Sequence, residues 1–297
     1  MRINKALLSI AFLWGLSLQF TACAQVEDTT FVTKPVQNSL PKHFLGKQPN
    51  HINNPQYMDA FFQLLRAKNR PVRVMHLGDS HVAGKGFPRS VEATLQAAYG
   101  AANDSLATSG IVMDFMARNG AMAIDFATME RVQRIRAFNP DLIIVSFGTN
   151  ECHGRGYQES EHRQGVEALL DLLQKYCSQS TILITTPPGD YLRQSHVKYI
   201  SGGRGRGKKG RLRKRKVYTY SYSPNEMVER GCRLLNTVAA ERHLAVWDIH
   251  AICGGDKAVR NYVANNMMRP DRVHFQPETY ALFGRLLGEA IIQEAAK

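Results

Sequence analysis

Four short apolar runs recur along the chain at wide intervals: Val72–Leu77, Leu142–Phe147, Thr181–Thr186 and Leu244–Ile249. None alternates apolar with polar positions, as expected of strands buried on both faces of a parallel sheet. Stretches with helical spacing separate them: Tyr57–Arg66, Ser90–Ala98, Met122–Arg136, Gly165–Tyr176, Asn225–His243, Gly255–Met267 and Pro277–Ala296. Strand and helix in alternation predict an α/β fold, a single doubly wound parallel sheet flanked by helices, with no second domain. In open sheets of this kind, sites form beyond the carboxyl ends of the strands. Ser80 falls just past the first strand, and Gly148-Thr149-Asn150-Glu151 just past the second.

The N-terminus follows a different pattern. Two cations, Arg2 and Lys5, precede an apolar run from Ala6 to Phe20, and then come Thr21-Ala22-Cys23-Ala24. Basic, apolar and then small residues are the layout of a secretory signal, and the run is too short for a membrane-spanning helix. Residues 1–22 are therefore expected to be a leader. Phe20-Thr21-Ala22-Cys23 resembles a bacterial lipobox that would lipidate Cys23, and ordinary cleavage around Ala22-Cys23-Ala24 is the alternative. The protein is expected in the bacterial cell envelope, periplasmic or anchored at Cys23. Residues 23–50 read as a polar flexible tether, and 51–297 as the folded domain.

Charge adds one further segment. Of the formal net charge of +13, nine cations and no acid lie within Arg204–Lys216. Setting aside those nine and the two cations of the leader leaves a net +2 for the rest. The basicity is thus local, and residues 201–217 are expected to be a solvated loop insertion able to contact an anionic polymer. The segment holds no aromatic residue on which bases could stack, so nucleic acid is not an expected partner. Gly202, Gly207 and Lys208 approximate a phosphate loop, but Lys209 occupies the position of the metal-binding Ser or Thr and no apolar helix follows.

Beyond Cys23, the chain has Cys152, Cys177, Cys232 and Cys253. Export permits disulfides, and the pairing is left open. No CxxC spacing suggests zinc.

A serine hydroxyl becomes a nucleophile only beside a base that is itself oriented, with donors for the developing oxyanion. Most histidines, including His51, His162, His196 and His243, sit in polar segments and read as surface residues. His274 differs, because Asp271 precedes it by three residues in a loop before the last helix. A turn at that spacing can bring the carboxylate to Nδ1 and leave Nε2 for a serine. His76, inside the first strand, reads as a packed core residue. Asp79 reads as a shaper of the turn, and Cys152 has no base to activate it.

Gly78-Asp79-Ser80, Asn119-Gly120-Ala121, Gly148-Thr149-Asn150-Glu151 and Asp271-x-x-His274 occur in the order of the blocks of the SGNH, or GDSL, hydrolase family. From about residue 70 to the C-terminus the chain resembles that family, whose fold is flavodoxin-like. The resemblance implies catalytic Ser80, His274 and Asp271, with an oxyanion hole formed by Ser80, Gly120 and Asn150. Glycine suits position 120 because the missing Cβ leaves its N–H approachable. His81, the stretch Ser146–Glu151, and Trp247-Asp248 followed by Gly254-Gly255 are similar to the branch containing bacterial peptidoglycan O-acetylesterases. His81 and Glu151 are thereby candidates for substrate binding, and Glu151 also for bracing the Asn150 loop.

The implied activity is removal of O-acetyl groups from a glycan, peptidoglycan or another acetylated polysaccharide, through an acetyl-serine, without metal or cofactor. Transfer of the acetyl group to a sugar hydroxyl is the alternative outcome of the same chemistry. A polyanion-binding envelope protein with vestigial catalysis is the competing class. Gly-x-Ser-x-Gly is absent, so the serine turn of α/β-hydrolases is not the one used here.

Overall fold

The computed structural model describes residues 40–102, 107–154, 156–204 and 212–297; within the hairpin, the side chains of 201–204 and 212–213 are not described. The leader, Cys23 and most of the expected tether lie outside the described residues.

Five parallel strands form the central sheet: β1 (Pro71–Gly78), β2 (Gly110–Ala117), β3 (Leu142–Ser146), β4 (Thr181–Thr185) and, after a separate hairpin of β5 (Tyr191–Arg204) and β6 (Leu212–Pro224), β7 (Ala245–Trp247). Their spatial order is β2-β1-β3-β4-β7. The chain leaves β1 for one neighbour, β2, and then returns to its other side as β3. That reversal opens a crevice at the carboxyl ends of β1 and β3. The register aligns those ends, since Gly78 pairs with both Ala117 and Ser146, Ser146 with Thr185, and Thr185 with Trp247. Loops carrying Ser80, Gly120, Asn150 and Asp190 therefore leave the sheet along one edge.

The apolar strands divide by parity between two cores. Val72, Val74, Leu142, Ile144, Leu183 and Trp247 face one side. Met75, Leu77, Ile143, Val145, Ile182 and Ile184 face the other. Burying such a side chain contributes about 1.5–3 kcal/mol, which fixes the register against slips that would exchange the faces.

The helices are α1 (Asp59–Ala67), α2 (Ser80–Ala83), α3 (Gly86–Tyr99), α4 (Ala123–Phe126), α5 (Met129–Phe138), α6 (Thr149–Cys152), α7 (Glu159–Tyr176), α8 (Met227–Glu241), α9 (Ile249–Ile252), α10 (Ala258–Ala264) and α11 (Pro277–Ala295). The helix expected over Met122–Arg136 is two helices, because the backbone turns extended at Thr128 (φ −126°, ψ 143°).

Three expectations change. The tether does not extend to residue 50: Leu40 and Phe44 are buried in the first core, and the Gln48 N–H donates to the Ile252 carbonyl at 3.2 Å. The basic segment is not a plain loop, since its described part forms the facing strands β5 and β6. His162 is not a surface residue. It is 3% exposed, because it shares the inner face of α7 with Val166 and Leu169, one and two turns on, and it bonds the Tyr157 hydroxyl at 3.1 Å. Cys152, Cys177, Cys232 and Cys253 are buried free thiols.

Candidate active site

β1 ends where the chain must turn sharply into α2. A Cβ at Gly78 would lie 2.2 Å from Val82 Cγ2 and 2.9 Å from the Ser146 carbonyl, so only glycine lets the turn close against β3. Asp79 caps α2 through its carboxylate, which accepts the His81 N–H at 2.8 Å. Ser80 is then the first residue of that helix, at the sheet edge.

The final loop brings the partners. Asp271 Oδ1 accepts the N–H groups of Val273 and His274, both at 2.9 Å. Its Oδ2 lies 2.9 Å from His274 Nδ1. Nδ1 can only donate to a carboxylate, so Nε2 is left as an acceptor, and it lies 3.0 Å from Ser80 Oγ. Partial burial pushes the Asp271 carboxyl up, but the two N–H groups and the imidazole outweigh it and hold the carboxyl below its ordinary value. A charged carboxylate, an oriented imidazole and a hydroxyl thus form one hydrogen-bonded line from residues almost two hundred positions apart. Such a line can transfer a proton from the serine as its oxygen attacks a carbonyl.

Two further blocks leave the same sheet edge. Gly120 has φ 71°, the left-handed region that costs a side-chain-bearing residue about 1–2 kcal/mol, and nothing lies within 4 Å of where its Cβ would stand. Asn150, in α6, donates to the Ala121 carbonyl at 2.9 Å and reaches Asp79 Oδ2 at only 3.4 Å. The first bond fixes the amide, while the second is long enough to yield its hydrogen to a better acceptor. Burial raises the Asp79 carboxyl to about 7.

Glu151 does not face the cleft as a substrate ligand. Its Oε1 accepts the Ala123 N–H at 2.7 Å and its Oε2 the Gly148 N–H at 3.0 Å. It therefore clamps the Asn150 loop to the segment just after Gly120, and burial raises its carboxyl. His81 is likewise turned inward, at 7% exposure. The Tyr280 hydroxyl accepts the Phe275 N–H at 3.3 Å and hydrogen-bonds His81 Nδ1 at 2.8 Å. Burial, and then the neighbouring His274, hold the His81 pKa down at about 3, so a neutral ring backs His274 with centroids 5.6 Å apart. His76 bonds Ser146 Oγ at 2.7 Å in the core. Cys152 is fully buried, and burial pushes its thiol up.

The sequence reading missed one pair at this edge. His153, after α6, bonds through Nδ1 to the buried carboxylate of Asp190, which follows β4. That hydrogen bond raises the His153 pKa against partial burial, with a smaller contribution from Asp271. The signal lay in Pro187-Pro188-Gly189-Asp190, another polar turn just past an apolar strand.

A model of the GDSL-like lipase/acylhydrolase family matches residues 76–282. No curated protein matches the sequence. Among solved structures, a peptidoglycan O-acetylesterase aligns with a TM-score of 0.63 at 14% identity, over 84% of this chain and 99% of that one. A two-domain esterase active on acetylated mannans aligns at 0.54 and 12% identity, over 84% of this chain and 57% of that one. The acetylxylan esterase Axe2 from Geobacillus stearothermophilus aligns at 0.48 and 16% identity, over 75% and 96%. At these identities the likeness is one of fold. The family match begins inside β1, ahead of Ser80, and runs past His274 into α11; the chain belongs to the GDSL-like lipase/acylhydrolase family and is an ester hydrolase.

Proposed function

We propose that the protein is an exported serine esterase that removes O-acetyl groups from a glycan, with peptidoglycan or another acetylated polysaccharide as substrate. The observation that carries the reading is the line Asp271–His274–Ser80 at the sheet edge, with contacts of 2.9 and 3.0 Å. His274 Nε2 takes the Ser80 proton as Oγ attacks the acetyl carbonyl, and Asp271 stabilises the imidazolium. The N–H groups of Ser80 and Gly120 receive the oxyanion, together with the Asn150 amide hydrogen that exchanges its long bond to Asp79 for the new acceptor. Collapse releases the sugar hydroxyl with the proton held by His274. Water, deprotonated by the same nitrogen, then cleaves the acetyl-serine to acetate and regenerates the hydroxyl.

Acetyl and glycan specificity rest on the company the fold keeps: the two better-aligned solved structures are a peptidoglycan O-acetylesterase and an esterase active on acetylated mannans. Export, and a lipid anchor on Cys23, rest on the leader sequence. The test is acetate release from O-acetylated peptidoglycan, acetylated xylan and a short nitrophenyl ester. Ser80→Ala is expected to lose at least ~10³-fold in turnover. Full activity in that variant would overturn the reading, and activity on the nitrophenyl ester alone would overturn the glycan substrate. Palmitate labelling that persists in Cys23→Ala would remove the anchor.

A further inference from the structure

β5 and β6 leave the domain as an antiparallel ribbon in which Tyr191 pairs with Pro224, Arg193 with Tyr222, Ser195 with Tyr220, Val197 with Tyr218 and Tyr199 with Lys216. Directly opposed residues share a face, and successive residues alternate faces. All five tyrosines of the ribbon, Tyr191, Tyr199, Tyr218, Tyr220 and Tyr222, therefore lie on the same face. So do three cations, Arg193, Lys214 and Lys216. The opposite face carries no tyrosine and is polar at most positions: Gln194, His196, Lys198, Arg215, Thr219 and Ser221 among them, so cations stand on both faces but tyrosine rings on one only. From Tyr191 to Pro224 there is no Asp or Glu. Tyr199, Tyr218 and Tyr220 are 65%, 50% and 52% exposed, leaving their rings open to solvent.

The root of this face meets the catalytic loop. Arg272, next to Asp271, stacks over Tyr222 at 4.2 Å and over Tyr191 at 5.3 Å, and its carbonyl accepts the Tyr191 N–H at 3.0 Å. Farther out, Arg193 lies over Tyr220 and Lys216 over Tyr218, each at 5.0 Å. A stripe of alternating rings and cations thus runs outward from the residue beside Asp271. From Tyr191 to Tyr199 it spans about 27 Å at ~3.4 Å per residue, the length of several sugar rings.

We infer that this tyrosine face is an extended binding platform for a glycan that carries carboxylates along its chain, delivering that chain to Ser80. This deepens, and rests on, the glycan-esterase reading. Flat apolar sugar faces stack on rings, and carboxylates pair with the interleaved cations; a neutral polysaccharide would leave those cations unused. Single-stranded nucleic acid could satisfy the same rings and charges, but it offers the triad no carboxylic ester at the end of the stripe. Arg204–Lys216 holds no aromatic residue, but the ribbon as a whole carries five tyrosines on which bases could stack.

The test uses the full-length protein with polygalacturonate, unsubstituted xylan and poly(dT) as probes, measuring affinity by titration at low and high salt. Polygalacturonate is expected to bind best and to weaken with salt. Y218A/Y220A and R193Q/K214Q/K216Q should each lose tenfold or more in affinity, and the latter should also flatten the salt dependence. T219A/S221A, on the other face, should stay within twofold. All three variants should hydrolyse nitrophenyl acetate within twofold of the parent, showing that they fold and that the triad is intact. The inference is overturned if tyrosine-face variants bind polygalacturonate as well as the parent does. It is also overturned if xylan binds as tightly, or if poly(dT) binds better. Failure of the esterase reading has a separate signature, nitrophenyl acetate hydrolysis that survives Ser80→Ala.

Discussion

Replacing Asp271 by Asn exchanges one oxygen for an amide nitrogen and isolates what the carboxylate does. Oδ1, with its two N–H partners at 2.9 Å, can be retained by the amide oxygen, so the loop keeps its shape. The other position now donates toward His274 Nδ1 instead of accepting from it. The imidazole must place its proton on Nε2, facing Ser80 Oγ, and can no longer take the serine proton. Two accounts of Asp271 then differ sharply in size. If it only attracts the imidazolium, a side chain 49% exposed contributes about 1 kcal/mol, less than tenfold in rate. If it fixes the tautomer, the loss is ~10⁴-fold, or about 5 kcal/mol of barrier. Turnover of a nitrophenyl acetate by Asp271→Asn, with its melting temperature measured beside the parent, separates them. We expect the larger loss at nearly unchanged stability. A loss under tenfold in a folded variant would refute the tautomer argument.

Asn150→Ala should lower kcat by about 100–1000-fold with little change in KM; an unchanged kcat would remove the amide from the oxyanion hole. Glu151→Gln leaves either the Ala123 or the Gly148 N–H facing an amide hydrogen, at a cost of about 1–3 kcal/mol. Thermal unfolding should show the loss, and kcat should fall with it because Asn150 is no longer clamped. Stability should also fall on acidification. Burial holds His76 and His81 at about 3 and His162 at about 4, while the unfolded chain binds these protons near 6.5. Their contribution is therefore complete above about pH 6.5 and is lost as pH falls toward 4 and 3. Asp79 has the opposite sign: with its carboxyl raised to about 7, it favours the folded state below about pH 4 and loses that as pH rises through 7. Asp79→Asn should consequently steepen the fall in melting temperature between pH 6.5 and 4, and parallel curves would refute the assignment.

What could be read without coordinates was whatever depends on neighbours in sequence. The unalternating runs at Val72–Leu77 and Leu142–Phe147 identified buried parallel strands, because a strand covered on both faces has no polar side to show. β2 carries no such signal, because it lies at the sheet edge and its run Gly110–Ala117 mixes Asp114 with apolar residues. The packing of residues 40–50 is hidden for a related reason: Leu40 and Phe44 are isolated apolar residues in polar surroundings, and only contact with the core reveals their burial.

The chain by itself determined the order of its chemical groups: a serine after one strand, an asparagine after another, and an aspartate three residues before a histidine. The last spacing is local, so a single turn sufficed to join Asp271 to His274. The tertiary structure decided how each polar group is used. Glu151 and His81 had the right composition for substrate contact, but the fold turned both inward, one onto backbone N–H groups and the other onto Tyr280. It also set the described part of a basic stretch in the two strands of a ribbon and, through cross-strand pairing, placed five tyrosines on one face. Burial and pairing are relations between distant residues, and a sequence records only the residues.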